Sequence, residues 1–171
     1  MTISDFVPQH SSDYDVYVVL RDDAGNLSEP AMVDFPSPPP ADLLASGYPM
    51  AGAAQPDGSK QAEVKVKLQN IGDDYKGKVY WVLLPEGAAR PSIEQVAAGT
   101  DGDDAAAIAS GSPEFSPGSE ESFLVTGAAG NIQYDLYMVV GDTNYANPLG
   151  RCTDVIELKV TTPPDIAGEK L

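Results

Sequence analysis

"YDLYMVVGDTNYAN", residues 134–147, is a near copy of "YDVYVVLRDDAGN", residues 14–26, and this pair of stretches decides how the chain is divided. The identical positions keep a constant offset of 120 residues and are Tyr14 and Tyr134, Asp15 and Asp135, Tyr17 and Tyr137, Val19 and Val139, and Asp22 and Asp142. Each copy is followed by a β-like run and a proline cluster, "AMVDFPSPPP" and "VIELKVTTPP". We interpret the copies as the same strand of two successive repeats.

This interpretation assigns residues 41–164 to one complete repeat. Residues 1–40 are then the last two strands of an incomplete upstream repeat with a proline-rich linker, and residues 165–171 are a linker or tail. The first 15 residues lack the basic and apolar regions of a signal peptide, so the protein is either cytosolic or an internal part of a larger one. The repeat favours the second interpretation. A lone two-stranded hairpin is marginally stable in water, so the hairpin at 14–35 is expected to pack on its own chain or to self-associate.

Alternation of side chains predicts which face of the repeated strand is buried. Leu136 and Met138 share a face with Tyr134, whereas Tyr137 lies on the other face. We therefore assign Tyr134, Leu136 and Met138 to the core, and Tyr14 to the equivalent position of the first copy. A tyrosine at the start of such a strand is expected to form a hydrogen bond back to the preceding corner loop.

The rest of the complete repeat also has the patterns of strands. Strands are predicted at 62–72, 77–87, 120–127 and 152–162, with shorter ones near 45–52 and 105–109. Ser92 and Gln95 form a capping-box pattern and Gly99 suits the position after a helix, which predicts one short helix near 92–98. Trp81 lies in the middle of its strand, where a core role is the main interpretation and an exposed sugar-stacking surface is the alternative.

This order of elements predicts an all-β fold, an antiparallel Greek-key β-sandwich of about seven strands. "YDVYVVLRDDAGNLSEP" resembles the last two strands of fibronectin type III-like repeats, and "GKVYWVLLPEGAARPSIEQVAAGTDG" resembles the middle of repeats of large bacterial surface proteins. The resemblance implies a fibronectin type III-like or immunoglobulin-like tandem repeat, located outside the cell, on its surface or in its wall. "TNYANPLGR" departs from this pattern, because it replaces the compact turn of the first copy.

Composition excludes several kinds of partner and site. The net charge of −16 repels phosphate backbones and anionic lipids, which argues against nucleic acid and membrane partners. No apolar run approaches the length of a membrane span. With one cysteine, Cys152, and one histidine, His10, the chain has no Cys/His zinc site and no internal disulfide. Cys152 is expected to be a small buried residue, and no cofactor is expected.

Two groups of polar residues are candidate binding positions. The first is the acidic string Asp101, Asp103 and Asp104, where calcium is the lesser interpretation and solvated loop acids the main one. The second is Tyr145, Asn144 and Asn147. For "RDDAGN", a simple turn is the main interpretation, and calcium binding at Asp22 and Asp23 is likewise the lesser one.

We expect no enzyme, because neither a phosphate loop nor a convincing catalytic set is present. The main prediction is a non-catalytic spacer module of a bacterial surface or secreted protein whose partners are adjacent repeats of the same chain. The alternative is an adhesion module that binds an extracellular protein or glycan through the long loops 99–119 and 142–152.

Overall fold

The computed structural model describes residues 13–36, 41–52, 61–70 and 76–163. The chain divides into two compact units, Met1–Pro40 and Ala41–Leu171, and the sequence interpretation places a boundary at this same position. His10 and the assigned linker or tail at 165–171 lie outside the described residues.

The first unit contains an antiparallel hairpin of β1 (Asp13–Val18) and β2 (Ala31–Pro36). The carboxylate of Asp22 accepts hydrogen bonds from the backbone N–H and the side-chain amide of Asn26, both at 2.8 Å. Gly25 adopts a φ of 90°, which glycine does without steric cost. The turn predicted for this stretch is therefore confirmed, and the side-chain amide of Asn26 is the main cause that lowers the pKa of Asp22.

In its described residues, the second unit has eight strands in two antiparallel sheets. The smaller sheet has the order β3–β4–β8, and the larger has the order β10–β9–β5–β6, with β7 also paired to β5. The strands are β3 (Met50–Ala51), β4 (Ala62–Lys67), β5 (Gly77–Pro85), β6 (Ala109–Gly111), β7 (Glu114–Phe115), β8 (Glu120–Val125), β9 (Gln133–Asp142) and β10 (Ile156–Thr161). The predicted all-β class with antiparallel sheets is confirmed.

One hydrophobic core lies between the two sheets. The smaller sheet contributes Val64, Val66 and Val125, and the larger contributes alternate residues of β5 and β9. Trp81 belongs to this core at 6% exposure, and its ring stacks on that of Phe123 with centroids 5.3 Å apart. The apolar residues of both sheets therefore alternate toward one shared interior.

The α-helix of the described residues, α1 (Ile93–Ala98), packs on the opposite face of the larger sheet. Ser92 accepts from the backbone N–H of Gln95 while the side chain of Gln95 accepts from the N–H of Ser92, so the predicted capping box is present. The helix contacts β5 and β9, and Tyr137 and Val139 are buried although they point away from the core. Strand β9 is consequently buried on both faces.

The terminal hairpins of the two units share one register. Val16 pairs with Val33 in the first unit, as Leu136 pairs with Leu158 in the second. Strand β1 corresponds to β9 at an offset of 120, and β2 corresponds to β10 at an offset of 125. The five additional residues lie in the connection between β9 and β10.

Two details of the predicted strand pattern are wrong. The strand expected near 105–109 lies further along the chain, in β6 and β7, because the N–H and C=O of Ala105 bond to Asp101 within a loop. The strand expected at 152–162 is interrupted: Cys152 pairs with Gly141 as an isolated bridge, and β10 begins only at Ile156. In the second place the N–H of Val155 donates to the carboxylate of Asp154 at 2.8 Å. Local hydrogen bonds of this kind compete with strand pairing.

Tyr134 connects the start of β9 to the loop before it. Its side chain is 5% exposed, and its hydroxyl accepts a hydrogen bond from the backbone N–H of Ala129 at 3.0 Å. This bond reaches back five residues, in the direction that the sequence predicts for a corner tyrosine.

Replacing Tyr134 with phenylalanine is expected to lower the free energy of unfolding by roughly 1–2 kcal/mol, because the N–H of Ala129 loses its acceptor. Urea unfolding of the full chain measures the change. Tyr145→Phe is the matched control, since it removes the same hydroxyl from a side chain that is 49% exposed. Equal unfolding free energies for the two variants would contradict the assigned role of the hydroxyl.

Candidate functional site

The candidate site at one end of the second unit is the Asp142 loop, which we define as residues 142–152. It begins where β9 ends and closes where Cys152 bridges to Gly141. The side chain of Asp142 is 1% exposed, and one of its oxygens accepts from the N–H of Asn144 at 3.0 Å. The other oxygen of Asp142 accepts from Nη1 of Arg151 at 2.8 Å. One buried carboxylate therefore forms hydrogen bonds with residues at both ends of the loop.

A 3₁₀ helix, Pro148–Gly150, packs back on the end of β9. Asn147 caps it by accepting from the N–H of Leu149 at 3.1 Å. A Cβ atom on Gly141 would lie 2.7 Å from the carbonyl oxygen of Pro148. Glycine at this position therefore permits the close approach of two backbones.

The three polar residues predicted for this loop have different environments. The side chain of Asn147 is used inside the loop as a cap. Tyr145 and Asn144 are exposed, and only their backbone N–H groups bond to Asp142. The exposed groups of this loop that a ligand could contact are therefore the aromatic ring of Tyr145 and the side-chain amide of Asn144.

The acidic string at 101–104 forms a closed loop of its own. One oxygen of Asp101 accepts from the N–H groups of Asp103 and Ala105, each at 2.9 Å. The carboxylate of Asp104 accepts from the side-chain amide of Gln95 at 2.7 Å. Among the described residues, no group of three or more acidic, histidine or cysteine side chains is arranged to hold a metal ion. The calcium interpretation therefore gains no support from the geometry.

Loop 99–119 of the binding hypothesis runs from one end of the larger sheet to the other. Strand β5 pairs with Asp142 and Phe115 at Gly77, its first residue. Near its other end, Leu83 pairs with Ala109 and its carbonyl accepts from Ile108. Residues 99–108 and the Asp142 loop consequently lie at opposite ends of the larger sheet, whereas residues 114–115 lie at the same end as the Asp142 loop. A binding site that includes Asp101, Asp103 and Asp104 would therefore be separate from one that includes Tyr145.

Cys152 is buried, and its environment disfavours nucleophilic reaction of its thiol. It is fully covered, and its thiol lies 3.3 Å from the carbonyl oxygen of Leu149. Burial, followed by the charges of Glu94 and Asp154, raises the pKa of Cys152 to about 12. The thiol is therefore protonated at neutral pH, and a thiol is a weak nucleophile.

Two of the shallow depressions in the second unit are candidate ligand sites. One, of about 250 Å³, lies between the edges of the sheets and is lined in part by Gly52, Glu63 and Lys159. The amine of Lys159 is already bound by Asp135 and Glu157, and the bond to Asp135 is the main cause that raises the pKa of Lys159. The other, of about 110 Å³, follows the end of α1. Neither has the set of converging polar groups that typifies a small-molecule site.

Sequence reasoning missed Asp142 and Arg151, which organise the candidate loop. A signal was present, because Asp142 aligns with Asp22 and both carboxylates accept hydrogen bonds inside the turn that follows the repeated strand.

Comparison with known proteins does not identify a function, because neither the models of known protein families nor the curated proteins match this chain. No helix in the described part of the chain is long and apolar enough to span a membrane.

Proposed function

We propose that residues 41–164 are a non-catalytic spacer module of a tandem array in a bacterial surface or secreted protein. The module is of fibronectin type III or immunoglobulin type. Its order of strands supports this: β3, β4 and β8 share one sheet while β5, β9 and β10 share the other, as strands A, B, E and C, F, G do in Greek-key sandwiches of this class. The hydrogen bond of Tyr134 to its corner loop supports the same assignment.

The observation that carries the spacer function is where the chain enters and leaves the module. Ala41 donates its N–H to the carbonyl of Cys152, beside the last residues of β9. Pro163 accepts from the N–H of Asn131, just before the first residue of β9. The ten residues of β9 separate these points, which corresponds to about 30 Å. A module that is entered at one end and left at the other adds its full length to an array.

The common register of the two terminal hairpins supports the tandem arrangement. The first strands match in sequence at an offset of 120. The offset of 125 that aligns the pairing of the second strands also aligns Pro38 and Pro39 with Pro163 and Pro164. Residues 1–40 are therefore interpreted as the end of a preceding copy. Proline-rich segments such as 36–40 favour extended connections between copies.

Deleting residues 1–40 is expected to leave a folded module. Every member of the core cluster lies at or beyond Leu43, so the deletion removes none of the core. Circular dichroism during urea titration of residues 41–171 should give one cooperative transition. A gradual loss of signal would place the boundary of the folding unit elsewhere.

Small-angle X-ray scattering on arrays of one, two and four copies of residues 41–164 tests the spacer function. The maximum dimension is expected to grow by roughly 30 Å or more for each added copy. Arrays that stay compact, with a radius of gyration that scales as for one globule, would refute the proposal.

The alternative function, binding of an extracellular protein or glycan, is favoured by one observation. Tyr145 is 49% exposed on a loop whose two ends donate hydrogen bonds to the carboxylate of Asp142, and exposed tyrosines are common in binding surfaces. A glycan array and a pull-down, each with Tyr145→Ala as the control, separate the two functions. Binding that Tyr145→Ala abolishes would favour the adhesion module.

A further inference from the structure

The outward faces of the two sheets of the second unit differ in how they are covered. On the larger sheet, α1 packs against β5 and β9, and Val82, Leu84 and Val139 are buried on that side. On the smaller sheet, Met50 is 40% exposed and Leu124 is 48% exposed. Single apolar side chains are common on protein surfaces, so the charges of this face decide which partner it can bind.

The open face, which we define as the outward side chains of the smaller sheet, carries balanced charges. Residues that pair directly across two strands share a face, and the register places on this one Met50, Glu63, Lys65, Lys67, Glu120 and Leu124. Two of these residues are acidic and two are basic, whereas the whole chain has a net charge of −16. A second copy can therefore approach the open face without the repulsion expected from a chain of this net charge.

The charges of the open face complement themselves in one orientation. Lys65 is paired with Glu120 of its own copy at 3.0 Å. Among the described residues, Lys67 and Glu63 have no ion-pair partner, and they lie four positions apart on β4, or about 13 Å. If two open faces stack with antiparallel strands, Lys67 of each copy lies opposite Glu63 of the other. Stacking with parallel strands would place like charges opposite each other, which is unfavourable.

We propose that the open face binds a second copy of this chain face to face, with antiparallel strands. Strand β4 is the middle strand of its sheet, so a two-fold axis beside Lys65 brings β4 of one copy over β4 of the other. The contact then contains two ion pairs between Lys67 and Glu63, and Met50, which pairs with Lys65, lies opposite its own equivalent. Such an interface is isologous, because both copies use the same residues.

The size of the open face predicts a weak contact for each pair of copies. Three strands about 4.8 Å apart and about six residues long give a face of roughly 300 Å², whereas stable interfaces bury about 800 Å² on each partner. A tandem array repeats the face in every copy, and linked weak contacts give a much higher avidity. This last step rests on the proposed function, whereas the contact between two single modules does not.

Sedimentation equilibrium of the full chain at low ionic strength, at protein concentrations up to about 1 mM, tests the contact. The weight-average mass is expected to rise with concentration. Lys67→Glu and Glu63→Lys should each weaken the association by roughly tenfold or more, because each places like charges opposite each other. Lys76→Glu and Glu86→Lys are the matched controls. They change the net charge equally at exposed residues outside the open face and should leave the association unchanged.

A mixture of the two charge-reversed variants separates a lost contact from a misfolded protein. In a mixed pair, the two glutamates of the Lys67→Glu copy lie opposite the two lysines of the Glu63→Lys copy, so the association should return. A chain that stays monomeric at every concentration, single variants that associate like the native chain, or a mixture that associates no better than each variant alone would each overturn the proposal. The array measurement reads length and not association, so failure of the spacer function is recognised separately.

Discussion

Replacing Trp81 with alanine should lower the free energy of unfolding of the second unit by about 3–5 kcal/mol, the usual range for removing a large buried aromatic side chain. The ring lies between the sheets, stacked on Phe123 with an interplanar angle of 19°. It also covers Gly111, the residue paired with it on β6, where an added Cβ would lie 2.8 Å from the indole nitrogen. Alanine would leave a cavity that both sheets line.

The change is measured by urea unfolding followed by circular dichroism, because Trp81 is the only tryptophan and its removal abolishes the usual fluorescence signal. Trp81→Phe is the control: it retains an aromatic ring beside Phe123 and should cost clearly less than alanine. If alanine cost under about 1 kcal/mol, the ring would lie at the surface. The sugar-stacking alternative for Trp81 would then be favoured.

Replacing Asp142 with alanine should cost about 2–3 kcal/mol, because two hydrogen bonds to a buried carboxylate are lost, one of them from a guanidinium group. The cost stays below that of breaking a fully buried ion pair, since the side chain of Arg151 is 42% exposed and can be hydrated when its partner is removed. The freed loop should also show faster hydrogen exchange at Asn144 and Tyr145, whose N–H groups bond to Asp142.

Asp103→Ala is the matched control for Asp142→Ala. Its side chain is exposed in the acidic loop at the other end of the sheet, and a surface substitution of this kind usually changes stability by less than about 0.5 kcal/mol. The urea midpoints and the amide exchange rates of both variants test whether Asp142 stabilises the loop. Equal stability of the two variants would mean that the loop is held by the 3₁₀ helix and the Gly141 contact instead of by Asp142.

The parts of the fold that depend on neighbouring residues could be predicted from the sequence. Alternation placed Tyr134, Leu136 and Met138 on one face of a strand, and that face is the core face. The capping pattern at Ser92 and Gln95 located α1 closely. Both signals rest on contacts within a few residues of the chain, so they survive in any tertiary context that permits the element.

The candidate site was less predictable, because its geometry depends on pairings across the sheet. The sequence identified loops 99–119 and 142–152 as candidate binding loops, but it could not show that residues 99–108 and the Asp142 loop lie at opposite ends of β5. Asp142 looked like one acid among many in a chain with 26 acidic residues. Its burial, and its bond to an arginine nine residues away, follow only from the path of the loop.

The sequence by itself determined the local elements of this protein, namely the alternating faces of its strands and the capped helix. Tertiary structure alone decided which strands became neighbours and which polar groups were buried. It packed α1 against β5 and β9, buried the carboxylate of Asp142 within a loop, and put Ala41 and Pro163 beside opposite ends of β9. The physical reason for this difference is the sequence separation of the interacting residues. Propensity and capping act within a turn or a strand, whereas burial and strand pairing depend on residues that are distant in the chain.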